Sequence, residues 1–339
     1  METVLITGGA GYIGSHIGYL LSSQGYRVIV LDKLVYGQSF DFPWATLIKA
    51  DFGNELVLAD IFTHYQINAV IHCAASIEVG ESVKNPLDFY ANNVANTIRL
   101  LQAMLKYQVK TILFSSSCAV YGTPKTLPLV EDHPFEPISP YGMTKYMMET
   151  IIKDMASAYG FSYMIFRFFN AAGALPEQGL GERHEPETHL IPLLLRSAHA
   201  NKPFTLFGDK KPTPDGSCIR DFVHVMDIAQ AHLLALRYLE AGNQSDSLNL
   251  GVGNGVSVKE MIASVERICG LKIPYNIAED RPGDPDVLVA DSARAHKILG
   301  WCPHYSDIDT IIRSAHHFMC QYQRVNSKLC LDKQAGTGY

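Results

Sequence analysis

LITGGAGYIGSH, residues 5–16, decides the fold. It carries two overlapping patterns, Gly8-x-x-Gly11-x-x-Gly14 and Gly9-x-Gly11-x-x-Gly14, directly after a β-rich run and directly before an amphipathic one. Glycines in that setting let the chain turn tightly and let its backbone approach a pyrophosphate that rests on the N-terminus of the following helix. The next β-rich run, 27–31, ends in Asp32, 18 residues past Gly14. A carboxylate there accepts hydrogen bonds from an adenosine ribose and repels a 2′-phosphate, with Lys33 partly offsetting that repulsion. The pattern predicts a dinucleotide-binding fold that takes NAD in preference to NADP. Asp51 and Phe52 close a third run, where they either read and flank an adenine or form an ordinary strand-end loop.

Outward from that stretch, short β-rich runs (4–7, 27–31, 46–49, 69–73, 110–115, 163–167) alternate with longer amphipathic or polar ones, notably 13–24, 54–65, 88–107 and 141–159. Alternation of this kind predicts right-handed βαβ units and a Rossmann-like, doubly wound, mostly parallel sheet covered on both faces. After about residue 172 the texture changes to loops rich in Gly, Pro and charge (173–189, 208–218, 280–286) between shorter elements. The expected organisation is an NAD-binding domain over 1–172 and a smaller α/β substrate-binding lobe over 173–318 that exchanges segments with the first. A polar, frayed tail over 319–339 is expected to follow.

A chain of 339 residues, 47% hydrophobic, can bury a core of that size. Its net charge of −6 argues against nucleic acid as main partner, and no apolar run approaches the length needed to cross a bilayer. The first run starts near Val4 and leaves no room for a targeting segment, and the seven scattered cysteines lack a C-x-x-C, so a cytoplasmic protein with reduced thiols is expected. Among 13 histidines, the best metal candidate is HEPETH (184–189), but Pro186 breaks any helix and the spacing is not i, i+4, so no metal site is expected. His296, His304, His316 and His317 read as ordinary polar positions.

SPYGMTK (139–145) places Tyr141 and Lys145 four apart behind Pro140, a residue suited to a helix start. A second Tyr-x-x-x-Lys, Tyr121 with Lys125, contains Gly122 and Pro124 and cannot be a regular helical turn. With FSSSCAVYG (114–122) ending the preceding strand, the chain resembles the extended short-chain dehydrogenase/reductase superfamily, whose catalytic pair is Tyr-x-x-x-Lys with a strand-end serine. An ammonium about 6 Å from a phenolate, at an effective dielectric of ~20, contributes roughly 2.8 kcal/mol, about two pKa units. Lys145, with the positive nicotinamide ring adding to it, is therefore expected to draw the Tyr141 phenol down towards neutrality. Dehydratases of this superfamily carry acidic residues directly after the strand-end hydroxyl, and related decarboxylases a glutamate where Ala119 stands. Cys118 and Ala119 can do neither kind of proton work. The chemistry left is oxidation of an alcohol and its reversal.

The closer resemblance is to the UDP-glucose 4-epimerase (UDP-galactose 4-epimerase) family, over about residues 3–318. It is carried by GGAGYIGSH (8–16), VGESVKNP (79–86), FSSSCAVYG, SPYGMTK, RFFNAAGALPE (167–177), PETHLIP (186–192), DGSCIRDFVHVMDIAQAH (215–232) and RPGD (281–284). The resemblance implies that Tyr141 removes the sugar 4′-hydroxyl proton while the C4 hydride goes to tightly held NAD. The keto sugar then turns over and hydride returns to its other face. Ser117 would bridge hydroxyl and tyrosine, and Lys145 would hold the nicotinamide ribose. By the same motifs Tyr12, Ile13, Asp32, Asp51, Phe52, Ala74, Asn92 and Ser115 would also serve NAD, along with the glycine loop. Asn170, Leu190, Phe207, Arg220, Arg281 and Asp284 would hold UDP, the arginines by forking onto phosphate oxygens. Asp221 beside Arg220 and Asp284 near Arg281 leave simple surface ion pairs as the competing reading of those arginines. Leu288 stands where the family walls the sugar pocket, a large tyrosine there excluding the 2-acetamido group and small residues admitting it. A leucine implies slower turnover of the UDP-GlcNAc/UDP-GalNAc pair.

Three departures accompany the resemblance. Ile77, with Glu78 beside it, stands where a lysine commonly approaches the nicotinamide, Phe222 replaces a tyrosine near the substrate phosphates, and His189 takes a position often given to asparagine. A dehydrogenase for another sugar nucleotide and a non-catalytic NAD-binding scaffold are the competing functions, and retention of Ser117, Tyr141 and Lys145 together argues against the scaffold. The stretches 88–107 and 141–159 carry apolar residues beyond one face, and resemblance implies that they form a homodimer interface.

Overall fold

Val4, Leu5, Ile6, Ile29, Val30 and Leu31 have no exposed surface, as expected of strands covered on both faces. They belong to a seven-stranded parallel sheet in the computed structural model, which describes residues 1–35, 42–281 and 284–335, with side chains of the last helix as far as residue 322. The strands are β1 (Thr3–Thr7), β2 (Arg27–Asp32), β3 (Ala45–Lys49), β4 (Ile67–His72), β5 (Thr111–Ser117), β6 (Ser162–Phe168) and β7 (Asp246–Leu250). They lie in the order β3-β2-β1-β4-β5-β6-β7, so the winding reverses between β1 and β4. In open sheets of this kind ligands bind at that reversal, beyond the carboxyl ends of the strands. Pro282 and Gly283 of the RPGD stretch, and residues 336–339 of the expected tail, lie outside the described residues.

Each face of the sheet has its own core. Tyr12–Ser23 and Val225–Glu240 cover one, through Ile17, Leu21, Ile228 and Leu236. Glu55–His64, Asn96–Lys106 and Pro140–Tyr159 cover the other, through Leu58, Ile61, Leu100, Met148 and Ile152. The chain therefore leaves the sheet after β6 and comes back: Val225–Glu240 packs on the first helix, and β7 pairs with β6 from Asp246↔Met164 to Leu250↔Phe168. The intervening and following segments build the smaller α/β lobe. Leu190–Ala200, Val258–Cys269 and the start of Ile308–Ala335 share a core of Leu194, Leu195, Met261, Val265, Ile311 and Ile312. Beside it lie short sheets that pair Phe204–Phe207 with Tyr275–Ala278 and Ile219–Arg220 with Val256–Ser257 and Val287–Leu288.

Two expectations are corrected here. The stretch 88–107 is Pro86–Phe89, a π-helical turn at Tyr90–Ala95, and then Asn96–Lys106. The tail is helical as far as Ala335, because Ile308, Ile311, Ile312, Ala315 and Met319 form one apolar stripe against the smaller lobe and start a helix that the polar residues continue. Among the described residues, no helix is long and apolar enough to cross a membrane.

Candidate active site

The glycine loop joins β1 to the helix Tyr12–Ser23 and is closed against its neighbours. Gly8 has φ +70°, and a Cβ on it would lie 2.6 Å from the backbone nitrogen of Ala74. A Cβ on Gly14 would lie 2.3 Å from the Gly8 carbonyl oxygen. Only glycine fits at either position, so the first turn of the helix sits directly on the loop, with Gly11 as an N-cap that brings no side chain to the free N–H groups. Tyr12 and Ile13 follow in that turn, Tyr12 donating its hydroxyl hydrogen to the Gly173 carbonyl at 2.6 Å. Asp32 ends β2 and accepts from the backbone N–H groups of Ala10 (3.1 Å) and Leu34 (2.8 Å), which aims it at the loop. Its carboxylate keeps further lone pairs for a ribose diol. These residues fit NAD: a cradle that any side chain would fill, a helix N-terminus for the pyrophosphate and an acceptor for the ribose.

Lys33 is not free to soften Asp32, because it ion-pairs with Asp51 (3.3 Å) and donates to Asn92 (3.2 Å). Asp51 also accepts from Gly53 N–H and Asn96, so Asp51 and Asn92 form one polar edge of the cleft. Phe52 departs from expectation. It is buried against the His72 ring, centroids 5.2 Å apart, and offers an adenine only its backbone.

Ser115 and Ser117 lie at the end of β5, and Ser139 caps the helix Pro140–Tyr159 by accepting from Gly142 N–H. The Lys145 ammonium donates to the Ser115 carbonyl at 2.7 Å and lies 5.9 Å from the centre of the Tyr141 ring. The approach is as expected. Burial pushes the Tyr141 phenol up to about 12, with only the Ser117 hydroxyl hydrogen bond opposing it and Cys118 and Glu78 adding to the rise. Burial likewise pulls Lys145 down to about 8, against the nearby Cys73 and Glu149. For both groups desolvation is the largest influence, and it disfavours the charged form. The Cys118 thiol, raised to about 12 by burial, cannot act as an acid or base near neutrality.

Across the cleft, Asn170 donates to the Asp221 carbonyl at 2.9 Å, and Arg220 ion-pairs with Asp284. That pairing differs from both neighbours suggested by sequence. Asp221 is buried and accepts from Val252, Gly253 and Ala290 N–H, while Arg281 lies 3.9 Å over the ring of Phe207. Arg220 is close enough to Cys118 to work against the burial of its thiol. Leu288 pairs in register with Arg220 and packs in the cluster of Val120, Tyr121 and Phe169, next to the strand-end serine. His189 precedes Leu190 at the start of its helix and is held by Glu182 and Glu187, which raise its pKa against burial. Glu78 acts electrostatically on both Tyr141 and His189, raising the pKa of each.

Residues 4–251 match the model of the NAD dependent epimerase/dehydratase family. The chain belongs to that family. A UDP-glucose 4-epimerase of Halalkalibacterium halodurans is 46% identical over 98% of this chain and 99% of its own. The UDP-glucose 4-epimerase of Brucella ovis, solved in complex with NAD, is 44% identical with a TM-score of 0.90, covering 94% of this chain and 98% of its own. The UDP-Glc/GlcNAc 4-epimerase of Campylobacter jejuni is 37% identical with a TM-score of 0.81, covering 95% and 100%.

Within this epimerase/dehydratase site, several supporting residues escape sequence reasoning. Asn93 is fully buried in the π-helical turn, where its amide accepts from Ser76 N–H (2.8 Å) and donates to the Ser76 carbonyl (3.0 Å) and the Thr144 hydroxyl (3.1 Å). It ties the loop after β4 to the helix of Tyr141. Glu149 continues the face of Tyr141 and Lys145 at i+8, accepts from Ser116 (2.6 Å) and pairs with buried Arg167 of β6 (2.7 Å). The spacing Tyr141-x-x-x-Lys145-x-x-x-Glu149 was the available signal. In and beside HEPETH, ligand atoms of Glu182, His184, Glu187 and His189 lie within 4.8 Å of one another.

Proposed function

We propose that this chain is an NAD-dependent epimerase that interconverts UDP-glucose and UDP-galactose at C4. The single observation that carries the reading is the grouping of Ser117, Tyr141 and Lys145, with Lys145 fixed on the Ser115 carbonyl and Tyr141 bonded to the Ser117 hydroxyl, beside a Cys118 thiol that burial makes a weaker acid. NAD, when bound, supplies a reversible hydride acceptor and a positive charge beside the phenol. Tyr141 takes the 4′-hydroxyl proton, helped by the Ser117 hydroxyl, and returns it after the keto sugar has presented its other face. Lys145, fixed by the Ser115 carbonyl, orients the nicotinamide ribose. Gly8, Gly11, Gly14, Tyr12, Ile13, Asp32, Asp51, Ala74, Asn92 and the backbone of Phe52 hold the remainder of the cofactor. Asn170, Leu190, Phe207, Arg220, Arg281 and Asp284 take the UDP, His189 lies at the lobe edge of the pocket, and Leu288 bounds the sugar.

The nucleotide half then comprises residues 1–172 together with the returning 225–250, and the substrate lobe is the rest. Exposed Leu87, Ile98 and Met147 on the helices of 86–106 and 140–159 support a homodimer through that face. Free thiols at all six described cysteines support a reducing, cytoplasmic setting. Incubation with UDP-galactose or UDP-glucose, without added cofactor, tests the reading. Interconversion to a fixed ratio is expected. Net NADH release would make the chain a dehydrogenase, and no turnover of either sugar would make it a binding protein.

A further inference from the structure

Three helices of the smaller lobe, Leu190–Ala200, Val258–Cys269 and Ile308–Ala335, pack on one another away from the cleft. Two of them present metal-binding side chains to the same point. His199 is the next-to-last residue of its helix, and His316 and Cys320 stand four apart on one face of the long helix. One ligand atom from each of the three lies within 4.8 Å of the other two. The Nε2 atoms of His199 and His316 are 2.8 Å apart, with ring centres at 4.9 Å. His199 is exposed and the other two are half-buried, so an ion has a path in.

We propose that His199, His316 and Cys320 form a binding site for one zinc-class divalent ion, with water completing the shell. Two imidazoles and a thiolate are a borderline-soft set that suits zinc. Zinc takes nitrogen at about 2.0–2.1 Å and sulfur at about 2.3 Å, which in a tetrahedron sets ligand atoms roughly 3.3–3.6 Å apart. The observed separations, 2.8 Å between the imidazole nitrogens and at most 4.8 Å overall, bracket that spacing. The other convergent group, Glu182, His184, Glu187 and His189, is less suited. Glu187 already accepts from Thr188 and His189 N–H, and Glu182 pairs with both histidines. An ion at His199, His316 and Cys320 would join the long helix to Leu190–Ala200 and stiffen the lobe without touching the active site.

Untagged chain, stripped by a chelator and dialysed, is titrated with zinc against a chromophoric competitor, and separately with cobalt. One equivalent should bind, and cobalt should give a sulfur-to-metal charge-transfer band. His316→Ala and Cys320→Ser should each weaken zinc binding at least ~10-fold, and Cys320→Ser should remove the band. Zinc should raise the melting midpoint of the wild type by several degrees but not that of either variant, with epimerase turnover unchanged. Failure of the wild type to bind an equivalent of zinc overturns the proposal, as does binding that survives both substitutions. Loss of binding in His184→Ala, with Cys320→Ser unaffected, would assign the ion to the other cluster and overturn it equally.

Discussion

Tyr141 is half-buried and Lys145 buried, and desolvation makes each resist its charged form. For Lys145 the sign is definite. A folded-state pKa depressed from 10.5 to about 8 means that holding the ammonium costs stability below about pH 8, a cost that fades as pH rises towards 10.5. The same titration removes the charge that orients the cofactor, so turnover should fall as pH rises through about 8. Initial rates from pH 6 to 10 check this, and Lys145→Met should be slower throughout and lack that alkaline limb. A wild-type rate that climbs steadily to pH 10 would show that the ammonium is not needed. Tyr141→Phe keeps the ring and removes the proton acceptor. Turnover should drop at least ~100-fold while UDP affinity, measured by calorimetry, changes little. Wild-type-like turnover in that variant would move the base elsewhere.

The helix Pro140–Tyr159 is held in place by more than apolar packing. Glu149 and Arg167, each 1% exposed at the side chain, join it to β6, and Arg167 also donates to Tyr121 at 2.9 Å. Glu149→Ala leaves a buried guanidinium without its carboxylate and should cost about 3–5 kcal/mol, read as a lower denaturant midpoint. Lys153→Ala, which removes a partly exposed contact to the same carboxylate, should cost under ~1 kcal/mol. Equal losses would mean that the pair does not anchor the helix. The elements of the first half were legible because each follows one period: the strands over 4–7, 27–31 and 163–167 lie within observed strands, and 141–159 within a helix that starts at Pro140. The π-helical turn was not legible, since Tyr90–Ala95 has no compositional mark and is fixed by Asn93 reaching Ser76 and Thr144. Partners were not legible either. Asp284 takes Arg220, 64 residues away, in preference to Arg281, and His199 meets His316 across 117 residues. The upward push of burial on Tyr141 was not legible, because a sequence shows charge spacing but not desolvation.

At the scale of the molecule, Leu288 of the smaller lobe pairs with Arg220 and packs against the cluster of Val120, Tyr121 and Phe169. If Leu288 bounds the sugar as proposed, a 2-acetamido group presses on a packed side chain there, an overpacking cost of roughly 1–3 kcal/mol. UDP-galactose and UDP-glucose should therefore be preferred, with slower but measurable turnover of the N-acetylated pair. Leu288→Tyr should abolish the slower activity and spare the faster. N-acetyl turnover unchanged in that variant would free Leu288 of the role. The nucleotide half also depends on chain that comes after the substrate lobe begins. Val225–Glu240 covers the sheet face over Ile17 and Leu21, and β7 closes the edge of β6. Residues 1–172 alone would keep six strands but expose that apolar face and leave the β6 edge unpaired, a template for aggregation. Expressed alone, this fragment should bind a hydrophobic dye, melt without a cooperative transition and retain no NAD, whereas the full chain should release NAD only on denaturation. A fragment that melts cooperatively with NAD bound would show that the returning segment is an accessory to a self-sufficient nucleotide domain.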